Sequence, residues 1–376
     1  MADNDVNRRK FLYGTAAAGV TGLAGCSGGG GGGDDGSGDD GSGDDGSGDD
    51  GSGDDGSSDD GSDEASLELR VGTSAGGTQD VGLAVERAVS QESDTLEYST
   101  IESPGYIGTI YRMAQEQFNA GITDNNSLNK ALDETGQFGE QPVSRIPQYG
   151  FSAFPYSIYV VARDGTDIET FDDLAGANVY PAEPGYSTRA TTLDVWSQDP
   201  TADVYEEMNI QDMGVGDAPG AMEEGTIDAS IAYGTPGVRY TGFVQEMASR
   251  VDLHYVEPTD ALIESAESFA GAGTTTTSYD DWPIADTDIG TDEVFTWDLE
   301  VLYTFNPEAD ADAVYELCRV VDEHNDVVNE GEAQFNDYES TADMLGYAQE
   351  RIPVHAGAVQ YYQDNDAWDD NLQEGE

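Results

Sequence analysis

The stretch LELRVGTSAGGTQDVGLAVERAV, residues 67–89, decides the fold. Leu67, Leu69 and Val71 alternate with polar residues, the period of a half-buried strand. A glycine-rich turn, Gly72-Thr73-Ser74-Ala75-Gly76-Gly77-Thr78, follows it, and Val81, Val85, Ala88 and Val89 then recur at helical spacing. A strand, a tight turn and a helix start gather unpaired backbone N–H groups around one point, with the positive end of the helix dipole behind them. Such a corner suits a carboxylate or another polar group of a small ligand, although α/β turns of this shape also occur without one.

The pattern repeats outward. Leu96–Ile101 alternates as a strand, Ser103-Pro104-Gly105-Tyr106 signals a helix start, and Ile107, Ile110, Tyr111, Ala114 and Phe118 form a helical stripe. Ala120–Thr123 reads as a third strand ending in the polar run Thr123-Asp124-Asn125-Asn126. Ile146–Phe154 and Tyr156–Ala162 read as two extended segments, and Ile168–Gly176 as a short capped helix before the strand Asn178–Tyr180. Pro184-Gly185-Tyr186-Ser187-Thr188-Arg189 then opens another helix, a second strand–turn–helix corner about 110 residues after the first. Ala221–Gly225 ends a helix, Ile227–Ala232 is a strand, and Tyr233-Gly234-Thr235-Pro236 is its polar exit loop. Asp298–Phe305 alternates as a long strand, and the remainder to Gln363 reads as helical. Two βαβ halves with ligand-facing corners at the carboxyl ends of their strands describe an α/β bilobed binding protein, periplasmic-binding-protein-like (type II). Its expected division is lobe I at 65–162 plus 303–376 and lobe II at 163–302, joined by two strand crossings near Tyr156–Ala162 and Leu299–Thr304.

Composition sets the surroundings. Residues 1–26 read as a twin-arginine lipoprotein signal: Arg8-Arg9 precedes a mildly hydrophobic run, and Leu23-Ala24-Gly25-Cys26 is a lipobox with Cys26 as the lipidated residue. Residues 27–64, a glycine run and then Asp-Asp-Gly-Ser repeats, have nothing apolar to bury and read as a disordered acidic stalk spanning about 35 Å. A calcium loop is the alternative there, but the spacing fits neither an EF-hand nor a nonapeptide β-roll. The chain is expected on the outer face of the cell membrane, held by its lipid anchor. Net charge is −63, and from residue 65 onward 61 acidic side chains face 11 basic ones, a net of −50. Lysine occurs only at positions 10 and 130. Such self-repulsion is tolerable where concentrated salt screens charge within a few ångströms, so a halophilic source is expected. Nucleic acid is excluded as a partner because no basic patch exists. Cys318 lies on a helical stripe with Val314, Leu317, Val321 and Val328 and reads as a buried structural thiol; His254, His324 and His355 lack metal-ligand spacing, and neither a metal nor a cofactor is expected.

Several motifs, in order, resemble one family. Gly72–Thr78 is similar to the opening G-T-G-x-x-G-G-T block of the TAXI receptors, the solute receptors associated with TRAP transporters. Ser103-Pro104-Gly105 stands at that family's G-G-S helix start, and Ala120–Asn126 resembles its D-L-A-L-V-Q-S-D strand. Phe171–Gly176 is similar to S-L-A-D-L-K-G, Pro184–Thr188 to P-G-S-G-T, and Ile227-Asp228-Ala229 with Pro236 to Q-I-D-A…P. The resemblance spans roughly 67–360 and departs at Gln79, where an aromatic is usual, at Asp124-Asn125-Asn126 for Q-S-D, and at Ser187 for glycine. It implies a non-enzymatic receptor that hands a small carboxylate or amino acid, glutamate- or glutamine-like, to TRAP transporter membrane subunits.

The candidate ligand-binding residues are therefore Gly76, Gly77, Thr78, Gln79, Ser103, Asn125 and Asn126 from one lobe, and Gly185, Tyr186, Ser187, Thr188, Arg189, Tyr233 and Pro236 from the other. A carboxylate entering so acidic a protein needs a cation, with Arg189 the first candidate and Arg239 the second. Two other readings compete. Gly72-Thr73-Ser74-Ala75-Gly76 fits the G-x-S-x-G elbow of an exported serine hydrolase with Ser74 as nucleophile, but no oxyanion segment precedes it. A cell-surface protein using the stalk as a spacer would have no cleft at all.

Overall fold

The computed structural model describes residues 67–375, which belong to one compact unit; the signal, the lipobox Cys26 and the stalk lie outside the described residues. Strand β1 (Leu67–Ser74) runs into α1 (Gly77–Glu92), β2 (Leu96–Ser103) into α2 (Gly105–Ala114), and β3 (Ala120–Asp124) into α3 (Asn125–Leu132) and the single turn α4 (Gln137–Glu140). β4 (Gln148–Arg163) leads through a 3₁₀ turn to β5 (Asn178–Tyr180), α5 (Ser187–Trp196), α6 (Ala202–Glu207), β6 (Asn209–Ile210) and α7 (Ala218–Glu223). After these come β7 (Ala229–Thr235), β8 (Arg239–Tyr240), α8 (Gly242–Arg250), β9 (Leu253–Tyr255), α9 (Asp260–Ser268) and β10 (Gly273–Ser278). β11 (Glu293–Phe305), α10 (Ala311–Glu323), α11 (Asn325–Gly331) and α12 (Ala356–Asp364) complete the fold.

The strands share one mixed sheet in the order β2-β1-β3-β11-β4-β7-β5-β6. β1 pairs in parallel with β2 and β3, and β5 with β6 and β7. The two parallel halves are joined by antiparallel β4 and β11, which pair from Trp297–Ile158 to Phe305–Gln148. This is the α/β, two-crossing architecture expected from the sequence. β4 exchanges partners along its length, leaving β11 for β7 at Ser157–Ile158. The two extended segments expected around Pro155 are thus one strand of 16 residues. A proline is tolerated there because it stands next to a register shift and ahead of the first rung with β7, where a missing N–H breaks no regular ladder.

Local patterning explains the core. Leu69 and Val71 of β1 and Val81, Val85, Ala88 and Val89 of α1 are all buried, each large side chain contributing about 1.5–3 kcal/mol. In α2 the buried face is Tyr106, Thr109, Ile110 and Met113, so the expected stripe is rotated; Ile107, Tyr111 and Ala114 sit at its edge. Tyr233, Gly234 and Thr235 belong to β7 rather than to an exit loop. The C-terminal region is less helical than its pattern suggests, with irregular chain between α11 and α12 around a 3₁₀ turn at Thr341–Leu345. Cys318 is fully buried on α10 beside Val314, Leu317 and Val321, and burial pushes its thiol up. No described helix is long and apolar enough to cross a membrane.

Candidate functional site

Parallel strands put the helix that follows each of them at the same edge of the sheet. A cavity of about 700 Å³ lies at that edge, between the two halves. The starts of four helices line it: Gly76–Thr78 of α1, Pro104–Tyr106 of α2, Tyr186–Thr188 of α5 and Thr241–Phe243 of α8. Tyr156 of β4 and Leu299 of β11 add the crossing strands, and Tyr233 of β7 stands with its ring 5.8 Å from that of Tyr156. Gly76 and Gly185 hold the two corner turns at φ of 87° and 100°, a region that a side chain would strain.

Backbone N–H groups contribute to the electrostatics of this cavity. No side chain caps any of the four helices. The N–H groups of Gly77, Thr78, Ser187 and Thr188 have no acceptor among the described residues. Thr241 is of a type that caps helices, yet its hydroxyl donates to the Tyr233 carbonyl at 3.3 Å. Thr78 and Tyr106 exchange a hydroxyl hydrogen bond at 2.7 Å, and Thr188 Oγ1 is buried with the Tyr233 phenol as its neighbour. Burial pushes the phenols of Tyr106, Tyr156, Tyr186 and Tyr233 above their ordinary range, so all four are neutral O–H groups. The exposed Glu102 lines the cavity at its rim, and an adjoining pocket of about 310 Å³, which shares Gly77, Tyr156, Thr241 and Gly242 with it, brings in Arg239 and Asp80.

The sequence matches the NMT1-like family over residues 71–365, most of the chain. The chain belongs to the NMT1-like family. A comparison with curated proteins found no match. Solved structures similar to this NMT1-like chain include the periplasmic aliphatic sulphonate binding protein SsuA of Escherichia coli: 12% identical, covering 80% of this chain and 91% of that one, TM-score 0.43. A putative L-cystine ABC transporter protein of Listeria monocytogenes is 10% identical over 72% of this chain and 98% of that one, TM-score 0.41. The probable amino-acid ABC transporter extracellular-binding protein ytmK of Bacillus subtilis is 12% identical over 73% and 100%, TM-score 0.41.

Of the residues singled out in the sequence, Gly76, Gly77, Thr78, Ser103, Gly185, Tyr186, Ser187, Thr188 and Tyr233 line this cavity of the NMT1-like protein. Gln79, Asn125, Asn126, Arg189 and Pro236 do not. One residue along a helix rotates a side chain by about 100°, which turns Arg189 from Thr188 onto Asp212 at 2.5 Å and the Ala182 carbonyl at 2.8 Å. Asn126 donates to Asp194 at 2.8 Å and to Thr191 at 3.0 Å, tying α3 to α5, and Asn125 donates to Glu300 and to the Tyr347 carbonyl. Arg239 reaches across from β8 to Gln334 at 3.0 Å and Glu332 at 3.3 Å, a clasp between the halves. Ser74 lies in the cavity wall, but none of the histidines does: His254 bonds the Ile168 carbonyl, His324 faces Glu92 and His355 caps α12. Ser74 therefore has no base of the hydrolase kind beside it.

Sequence reading missed Tyr106, Tyr156, Phe243 and Leu299 as lining residues. Tyr156 and Leu299 were legible as crossings, and period-2 alternation would have put their neighbours on the other face. Those neighbours, Pro155, Ser157, Asp298 and Glu300, line a second cavity of about 970 Å³ on the opposite face of the crossing strands. Glu300 there is pushed up to about 8 by burial, opposed by its bond from Asn125 and reinforced by the nearby Asp298. Phe243 follows a two-residue strand that no sequence period marks.

Proposed function

We propose that this NMT1-like protein is an extracytoplasmic solute receptor that grips one small carboxylate or amino acid between two lobes, 65–162 plus 303–376 and 163–302, and passes it to the membrane subunits of a transporter. The observation that carries this reading is that Gly76–Thr78 and Gly185–Thr188, about 110 residues apart, line one cavity. Donors from both halves then reach a single ligand, and its binding favours the closed arrangement in which water is excluded. The Arg239 clasp supports closure at the same cleft. The finer assignment, a receptor of a tripartite, ion-gradient-driven TRAP-type transporter in a halophile, exported by the Tat route and anchored at Cys26, rests on the motifs and the leader sequence.

The test is thermal denaturation of the purified chain in molar salt against amino acids and mono- and dicarboxylates, together with mass spectrometry of any ligand carried through purification. A stabilising solute is expected. Failure of every solute class to stabilise the protein, with nothing co-purified, would end the receptor reading.

A further inference from the structure

Two glycines stand at the start of α1 for two reasons. Gly76 needs its positive φ, whereas Gly77 already lies in the helix and lacks room for a side chain. A Cβ there would stand 2.9 Å from both Gln334 Oε1 and the Tyr156 hydroxyl oxygen, and 3.3 Å from Gln334 Nε2. An amide and a phenol thus meet at the start of α1, where the main cavity and its adjoining pocket share Gly77 and Tyr156.

The amide is held in place. Gln334 follows α11, is 2% exposed, and its own N–H donates to Glu332 Oε1 at 3.0 Å. Two residues on, the Asn336 N–H donates to the Ala153 carbonyl of β4 at 2.7 Å. Arg239 reaches Gln334 Oε1 from β8, in the other half, at 3.0 Å. A guanidinium only donates, so it fixes which end of the amide is oxygen and turns Nε2, a pure donor, to the other side. Nε2 is buried there with the Tyr156 hydroxyl as its neighbour. Burial pushes the Tyr156 phenol up, while the Gln334 amide and Arg239 pull against that rise. The phenol therefore stays O–H; its oxygen accepts from the amide, and its single hydrogen is left for the cavity.

We propose that Gln334 is a positioning residue for solute recognition: locked by Arg239 across the two halves, it makes the Tyr156 hydroxyl a hydrogen-bond donor toward an oxygen acceptor of the solute, a carboxylate or a carbonyl. Closure then does more than exclude water, since the Arg239–Gln334 contact that spans the halves also sets the donor. The inference rests on the receptor reading and assigns one of its contacts.

The experiment is calorimetric titration of the full chain, freed of bound solute, at one fixed molar salt concentration. Glutamate, glutarate and hexanoate are the probes, and the one that binds the natural chain most tightly is carried through the variants. Tyr156→Phe deletes only the hydroxyl and should weaken that probe about fivefold to tenfold. Gln334→Glu keeps the Arg239 clasp as an ion pair but can only accept, so it takes the phenolic hydrogen for itself. It should cost about as much affinity as Tyr156→Phe, with the melting temperature held. A residue that served only to clasp the halves would give the opposite result, equal or tighter binding. The double variant Tyr156→Phe/Gln334→Glu should lose no more than about twofold beyond Tyr156→Phe alone, because both changes remove one contact, whereas a new charge that merely repelled the acid would add its own loss. Should Gln334→Glu lower the melting temperature, Gln334→Met, of like length and without donor or acceptor, takes its place. Its loss of about twofold to threefold should vanish in the Tyr156→Phe background. Acid binding unchanged by the single variants, or losses that multiply when they are combined, would overturn the inference and leave the receptor reading standing. Binding of none of these acids and of no other small solute would sink the receptor reading, and this inference with it.

Discussion

Helix α1 opens on a glycine that caps nothing, whereas α10 opens on Asp310, whose carboxylate accepts from the N–H groups of Asp312 and Ala313. The same contrast divides the described helices of eight residues or more. Those that start at the 700 Å³ cavity, α1, α2, α5 and α8, have no side-chain cap. Those that start elsewhere, α3, α9, α10 and α12, are capped by Asp124, Thr259, Asp310 and His355. The His355 cap works because burial lowers its ring to about 4, which leaves Nδ1 neutral and able to accept from Gly357 at 3.2 Å. A cap is worth about 0.5–2 kcal/mol. Four helices forgo it at one place, and what they keep is a set of donors that a ligand can use.

Removing the charge from a cap outside the cavity should have the largest effect on stability. Burial pushes Asp124 up to about 6, against the bonds it accepts from Ser127 and the pull of Lys130. Its folded-state value exceeds the unfolded one, so the folded state holds the extra proton between about pH 4 and 6. Stability therefore falls as pH rises through that window and stays lower above it. Asp124→Asn keeps a capping acceptor without the charge. It should gain about 2–3 kcal/mol at pH 8, and the gain should fade toward pH 4 in urea melts across that range. A variant no more stable at pH 8 than at pH 4 would show that Asp124 carries its charge at little cost.

Capping a cavity helix should act on binding instead. Thr241→Asp, at the extended N-cap position of α8, is expected to weaken solute binding about tenfold without lowering the melting temperature. Unchanged affinity in a titration would place α8 outside the recognition set. Asp310→Ala inverts the contrast: a loss of about 1 kcal/mol in chemical denaturation with the solute dissociation constant unmoved. The smallest effect belongs to the clasp. The Arg239 side chain is half exposed, so Arg239→Ala should cost under about 1 kcal/mol of stability and weaken binding by up to about fivefold through the closed form. An effect much larger than this would mean that Arg239 touches the ligand.

Period and punctuation carried the reading of the first half a long way. The 3.6 and 2.0 repeats in 67–89, the capped turn at Phe171–Leu174 and the strand Asn178–Tyr180 all appear where the pattern puts them. Patterns failed where a tertiary partner overrides them. Pro155 looks like a strand break until β11 and β7 are seen handing β4 from one to the other. Tyr233–Thr235 looks like a loop until β4 and β8 pair with it. Arg189 and Arg239 looked like the cations a carboxylate requires, because sequence shows that a charge exists but not where its side chain turns. Arg189 is paired with Asp212 outside the cavity, whereas Arg239, paired with Glu332, lines an adjoining pocket that shares Gly77, Tyr156, Thr241 and Gly242 with it.

By itself, then, the chain's sequence settled the local conformations and the glycine corners at Gly76 and Gly185, because these depend on sterics and hydrophobic period within a few residues. That the corners line one cavity, that aromatic rings from β4, β7 and α8 wall it, and that Arg189 turns away from it were decided only by the tertiary structure. These depend on which residues distant in sequence the two crossing strands bring together, and no local period encodes that.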